Sequence, residues 1–133
     1  MAKIDWAVIC DAAFLDRQDR LCIIGIVRDL QARVLPLWLR QVTLVAHLTD
    51  ILPLDEIDVA VGMVTPSGQH TGRPGAPNVT IEMARDYVLA TMRDLALTEE
   101  GVHHFQVRLR GQPMVAIDVP VWTTMTAVSA GVQ

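Results

Sequence analysis

Apolar residues recur along this chain at every second position more clearly than at every third or fourth, which predicts strands rather than helices. Ile4, Trp6, Val8 and Cys10 alternate with Lys3, Asp5, Ala7 and Ile9. Val42, Leu44, Ala46 and Leu48 alternate with Thr43, Val45, His47 and Thr49, and Ile57, Val59, Val61 and Met63 with Asp58, Ala60, Gly62 and Val64. The run LCIIGIV from Leu21 is continuous and rich in β-branched residues, which predicts a strand buried on both faces, with a bulge or close approach at Gly25. Near the end, GVHHFQVRLRG sets His103, Phe105, Val107 and Leu109 on one face and His104, Gln106, Arg108 and Arg110 on the other. A turn at Gly111–Pro113 returns the chain through Val115, Ile117, Val119 and Val121, completing an antiparallel hairpin with one apolar and one wet face.

Turn residues punctuate these runs at Asp16–Asp19, at Asp50–Glu56 and across Thr65–Asn78. The last of these is rich in glycine and proline and predicts the longest loop, with a short strand at Val79, Ile81 and Met83 after it. Only Tyr87–Leu97 is ambiguous, because its apolar residues fit a helical stripe and a strand equally well. Seven or more short strands with at most one short helix predict an all-β fold, a two-sheet antiparallel β-sandwich of immunoglobulin-like or jelly-roll-like type. It occupies residues 1–124 as a single domain, and 125–133 form a C-terminal tail expected to fray.

Composition narrows the function classes. At 133 residues and 51% hydrophobic, the chain can bury a substantial core. Its net charge is −4 and its arginines are scattered, so no basic stripe points to a nucleic-acid backbone. The uncharged runs are too short for a membrane helix, and Asp5 and Asp11 interrupt the N-terminus where a signal peptide would be apolar. A cytoplasmic protein with no membrane partner is expected, and Cys10 and Cys22 are expected as free buried thiols.

The side chains that could carry chemistry do not assemble into a known constellation. His103 and His104 are consecutive on a strand, so they point to opposite sides and cannot readily clamp one metal ion. Ser67 and His70 share the PSGQH turn, yet neither a GxSxG elbow nor an oxyanion hole accompanies them. Asp55, Glu56 and Asp58 lack the further ligand spacing that calcium requires, and Cys10, on the face of Trp6 and Val8, lacks a cationic setting. No glycine-rich phosphate loop is present, so no cofactor and no metal is expected. Trp6 and Trp122 fall on strand positions and are expected at the core or its rim.

The start WAVICDAAF, the strand RLCIIGIVRDL, the middle LPLWLRQVTLVAHL, the VTPSG turn and the closing EEGVHHFQVRLRGQPMVAIDVPV resemble an uncharacterised family of small bacterial proteins, a domain of unknown function. Members share a tryptophan-and-cysteine start, an N-I-I-G strand, a P-D-G turn and a final G-x-Y-x-F-x-V-x-V-D-G hairpin. Here His103 replaces the tyrosine and Arg110 the aspartate. The resemblance spans nearly the whole chain and implies a β-sandwich; the family carries no assigned activity, so no site residue transfers.

The expectation from sequence is therefore a non-catalytic β-sandwich that acts by binding or assembly, as a homodimer or with a protein partner. Leu35, Leu37, Trp38 and Leu39 exceed what a loop needs and form the candidate interface, although the same segment could instead fold over an open end of the sandwich. The alternative is a small hydrolase or metal-dependent enzyme using His70, His47 or His103 with nearby carboxylates. Carbohydrate binding is a third possibility, weakened by an aromatic content of 5%.

Overall fold

In the computed structural model, which describes residues 1–71 and 78–124, the chain forms ten strands. These are β1 (Lys3–Leu15), β2 (Leu21–Ile26), β3 (Leu30–Ala32), β4 (Leu37–Thr49), β5 (Val59–Val64), β6 (His70–Thr71), β7 (Val79–Ala84), β8 (Tyr87–Leu97), β9 (Gly101–Leu109) and β10 (Val115–Thr123). Sheet A runs β2-β1-β4-β8-β7 and sheet B runs β3-β10-β9-β5-β6. Every pairing is antiparallel except that of β10 with β3. The fold is an all-β sandwich, and no helix among the described residues is long and apolar enough to cross a membrane.

The β9–β10 hairpin follows its sequence pattern closely. His103, Phe105, Val107 and Leu109 are buried, and their β10 neighbours Val119 and Val121 are buried with them. Sheet A contributes Val42, Leu44, Ala46 and Leu48 from β4, and Val88, Ala90, Met92, Leu95 and Leu97 from β8. Tyr87–Leu97 is thus a strand, the longest partner of β4, and its inward face is apolar because it lines the interior. Each large side chain fully buried in such a core contributes about 1.5–3 kcal/mol of hydrophobic stabilisation.

Several expectations need correction. A register shift between Ile4 and Trp6 changes the phase of β1. Ile4, Ala7 and Ile9 join the main core, whereas Val8 and Cys10 belong to a second cluster, so Ile4 does not share a face with them. LCIIGIV is not buried on both faces: it forms the edge strand of sheet A, with Ile24 and Ile26 exposed. Gly25 is a point of close approach, as its sequence context suggests. It has φ +68°, and a Cβ there would run into the Asp11 carboxylate. Within Thr65–Asn78, residues 65–69 make a hydrogen-bonded turn, whereas His70–Thr71 pair with β5 and so are not loop. Residues 72–77, like the tail from 125 to 133, lie outside the described residues.

The second cluster explains how β1, β4 and β8 can be apolar on both sides. Val45 and Cys10 are fully buried although they alternate with main-core residues, and Leu89 lies beside Val45. Ala13, Leu21 and Ile23 from the β1–β2 hairpin pack against them, together with Val8, Ala84 and Tyr87. Pairing of β1 with β4 ends at Cys10 and Thr43, beyond which β1 continues only with β2. The hairpin therefore leaves the plane of the sheet and covers its outer surface. Its tip is tied to the β7–β8 turn by an ion pair between Asp19 and Arg85, 2.5 Å apart. Both side chains are more than half exposed, so this pair is worth no more than about 1 kcal/mol, and apolar burial carries the contact.

Val45→Ala is therefore expected to cost about 2 kcal/mol in denaturant unfolding, as a core truncation does. A valine on a bare outer face would give a change within about 0.5 kcal/mol.

Candidate functional site

The outer surface of sheet A also holds a group of aromatic rings and carboxylates around His47. Because Trp6 pairs with His47 and His47 with Tyr87, the three rings lie side by side across β1, β4 and β8. The Trp6 and His47 rings stack with centroids 5.7 Å apart, and Tyr87 is tilted against both, at 6.1 Å from Trp6 and 5.1 Å from His47. One carboxylate meets each imidazole nitrogen: Asp5 lies 3.1 Å from Nδ1 and Asp86 lies 2.7 Å from Nε2. Two carboxylates can both accept only if both nitrogens carry protons, so the geometry favours imidazolium.

Partial burial of His47 on its own would lower its pKa, but hydrogen bonding and charge from Asp86, then Asp5, outweigh this and raise it above the ordinary 6.5. The clamp joins residues far apart in sequence, which is why the pattern of β4 gave no sign of it. The one local hint is the Asp–Tyr pair at Asp86–Tyr87, in register with His47. Chemically, this is a structural cross-tie with a half-exposed aromatic rim, since both ring nitrogens are already engaged.

The remaining histidines lie elsewhere. His103 is fully buried in the sandwich, deeper than an edge position, with Nδ1 donating to the Gly101 carbonyl over 3.3 Å and Nε2 without a hydrogen-bond partner. Burial lowers its pKa, more than the Gly101 hydrogen bond and Glu99 can offset, so it is held neutral. His104 points the other way and meets Asp118 on the neighbouring strand, 2.6 Å from Nδ1. His70 is exposed on β6. The structure therefore does not bring His47, His70 and His103 together. Among the described residues, no three histidine, cysteine or acidic side chains converge where a metal ion would be held.

The other candidates also stand apart. Ser67 Oγ donates to Glu99 over 2.8 Å and lies 3.2 Å from the Thr65 hydroxyl, so its partner is a carboxylate and not His70. Asp55 stabilises its own turn, accepting from the Leu52 amide. The Cys10 thiol lies 3.4 Å from the carbonyl oxygens of Ala12 and Thr43, and burial followed by the charge of Asp11 pushes its pKa up to about 11. It is the opposite of an activated nucleophile. Cys10 faces Ile26 across the β1–β2 ladder and Cys22 faces Phe14, which separates the two thiols by several residues, and both are free.

Of the proposed interface, Leu35, Leu37 and Leu39 are half-buried against the main core, whereas Trp38 alternates outward and is 66% exposed. Trp6 and Trp122 are partly exposed, so neither belongs to the core.

A family model matches residues 5–122, nearly the whole of both sheets. The chain belongs to a family of unknown function, DUF6941. No curated protein matches it significantly. Membership in DUF6941 is consistent with the strands that carried the sequence resemblance, and it assigns no activity.

The two perturbed histidines should act on stability with opposite sign. His47, raised in the fold, stabilises fully below pH 6.5, and this contribution is lost as pH rises through its higher folded value. His103, lowered in the fold, favours the native state above pH 6.5 and opposes it as pH falls below that value. NMR titration should find His47 titrating above 6.5 and His103 below. His47→Gln should remove the alkaline decline in melting temperature and leave the acid one.

Proposed function

We propose that this DUF6941 protein is a non-catalytic β-sandwich that works by binding, as a homo-oligomer or with a protein partner, in the cytoplasm. The observation that supports this most is the exposed apolar surface left on sheet A after the second cluster has formed. Trp38 is 66% exposed, and Phe14, Ile24 and Ile26 are each about half exposed. A folded monomer of this size has no need to leave a tryptophan and two isoleucines in water on strands, and such patches mark contact surfaces. Trp38 is the proposed contact residue of the segment that includes Leu35, Leu37 and Leu39. The three leucines support it from the interior side.

The enzyme alternative, built on His70, His47 or His103, is disfavoured by their separation. One is neutral in the core, one is clamped by two carboxylates, and one sits on a short edge strand. A general base needs a free nitrogen within hydrogen-bond reach of a substrate proton, and His47 offers none in its clamped form. Dialysis against a chelator is expected to leave the melting temperature unchanged to within about a degree, since a resident metal would stabilise the fold by mass action. A drop of about ten degrees would restore the metal-dependent reading.

Trp38→Lys is expected to release the partner or raise the monomer fraction in light scattering while leaving the melting temperature nearly unchanged, because the ring is mainly in solvent. A variant that instead unfolds several degrees lower with unchanged association would assign Trp38 a purely structural part.

A further inference from the structure

His47 can donate to Asp5 and to Asp86 together only while both ring nitrogens carry protons, because a neutral imidazole has a single N–H. We propose that His47 is a proton-operated latch on the start of β1. When protonated it ties Asp5 down; when neutral it keeps Asp86, releases Asp5 and lets residues 1–5 open. The device is complete within one chain and stands whether or not the protein assembles.

Asp86 keeps the proton for two reasons. It is the closer partner, 2.7 Å from Nε2, against 3.1 Å between Asp5 and Nδ1. Its backbone is also well anchored: the Asp86 carbonyl accepts the Leu48 amide over 2.8 Å, and Arg85 beside it is held by Asp19. A neutral His47 therefore carries its one proton on Nε2 and turns the Nδ1 lone pair toward the Asp5 carboxylate. That contact is repulsive, and the Asp5 side chain, 51% exposed, has water to turn to.

The start of β1 is lightly held. β2 pairs with β1 from Cys10 to Leu15, so among the described residues the first part of β1 pairs with β4 alone. Ahead of the register shift that ladder has two paired positions, Lys3 with Thr49 and Ile4 with Leu48. Trp6, just past the shift, stacks on the His47 ring at 5.7 Å. An imidazolium over an indole face gains a cation–π attraction that a neutral ring lacks. Deprotonation thus loosens the strand on both sides of the shift. What opens is one end of the main core: Ile4 packs against that core, and the buried Ala2 lines a crevice of about 100 Å³ with Ile57 and Leu109.

The other charged and titratable groups on this face are Lys3 and Asp5 on β1, Arg85 and Asp86 in the β7–β8 turn, Tyr87 on β8 and Glu82 on β7. Lys3 lies opposite Thr49, Glu82 opposite Leu89, and Arg85 is occupied by Asp19. Imidazole is the one side-chain type among them that ordinarily titrates near neutrality. Burial alone would lower the His47 pKa, but Asp86 and Asp5 raise it above 6.5, so the latch is closed at pH 6.5 and opens as pH rises through the raised value.

Backbone amide exchange on the full chain, read as protection factors corrected for the intrinsic rate from about pH 5.5 to about pH 9, tests the latch. Protection of residues 3–6 should fall about fivefold as His47 deprotonates, while that of Val88 and Ala90 within β8 stays constant. Nitrogen–proton NMR correlation of the ring should show the neutral form protonated on Nε2. Two variants separate a latch from a plain structural tie. Asp5→Asn removes the charge that a bare Nδ1 repels, and its amide can donate to that nitrogen, so the step should vanish. Asp86→Asn offers an N–H to Nε2, which moves the single proton to Nδ1 and keeps residue 5 tied, so here too the step should vanish. Protection of residues 3–6 that stays flat through the His47 titration overturns the proposal. So does a neutral ring protonated on Nδ1 in the unmodified protein, or a step of undiminished size in Asp86→Asn.

Discussion

Sheet A carries more apolar side chains than one interior can take, and the rest of the structure follows from how that excess is buried. Leu44 and Ala46 face sheet B while Val45 between them faces the other way, yet all three are fully buried. The main core accounts for the first two. Val45 is covered because β1 leaves β4 at Cys10 and, with β2, leans back over the outer surface so that Ala13, Leu21 and Ile23 pack against the cluster of Cys10, Val45 and Leu89. Burying the hairpin's inner side exposes its outer side, and Phe14, Ile24 and Ile26 are left in water. The same movement makes β2 an edge.

The polar features are arranged around this second cluster. Tyr87 belongs both to the cluster and to the ring group with Trp6 and His47. The His47 clamp draws on Asp5 at the register shift of β1 and on Asp86 in the β7–β8 turn, and Arg85 in that same turn reaches the hairpin tip at Asp19. β1, β4, the β7–β8 turn and the tip of the β1–β2 hairpin are thus tied across one face of sheet A. On sheet B the contrast is plain: His103 is buried in the core, and His104 makes a solvent-side pair with Asp118.

How much of this the sequence disclosed depends on the residue in question. The β9–β10 hairpin was legible because His103 to Leu109 alternate without interruption and a glycine-proline turn follows. The opposed directions of His103 and His104 follow from the same alternation. The phase of β1 was not legible, because the shift after Ile4 is marked by no glycine or proline and every residue there suits a strand. The exposure of β2 was illegible for a related reason. An uninterrupted apolar run looks the same whether a second layer covers both faces or only one, and Ile24 and Ile26 carry no sign of which applies. The Trp6–His47–Tyr87 group was invisible because its members lie on three strands whose order the sequence does not state. Trp38 stood out from its leucine neighbours by residue type, yet only the alternation of β4 within a known sheet shows that it faces solvent.

The central claim is that the β1–β2 hairpin folds over the outer face of sheet A and builds a second small core there. Methyl-resolved nuclear Overhauser spectroscopy tests it most directly. The account predicts cross-peaks from Ile23 and Ala13 methyls to those of Val45 and Leu89, persisting at dilutions where the protein is monomeric. Absence of these cross-peaks, with Val45 methyls in contact with solvent or seen only near a second copy, would contradict it.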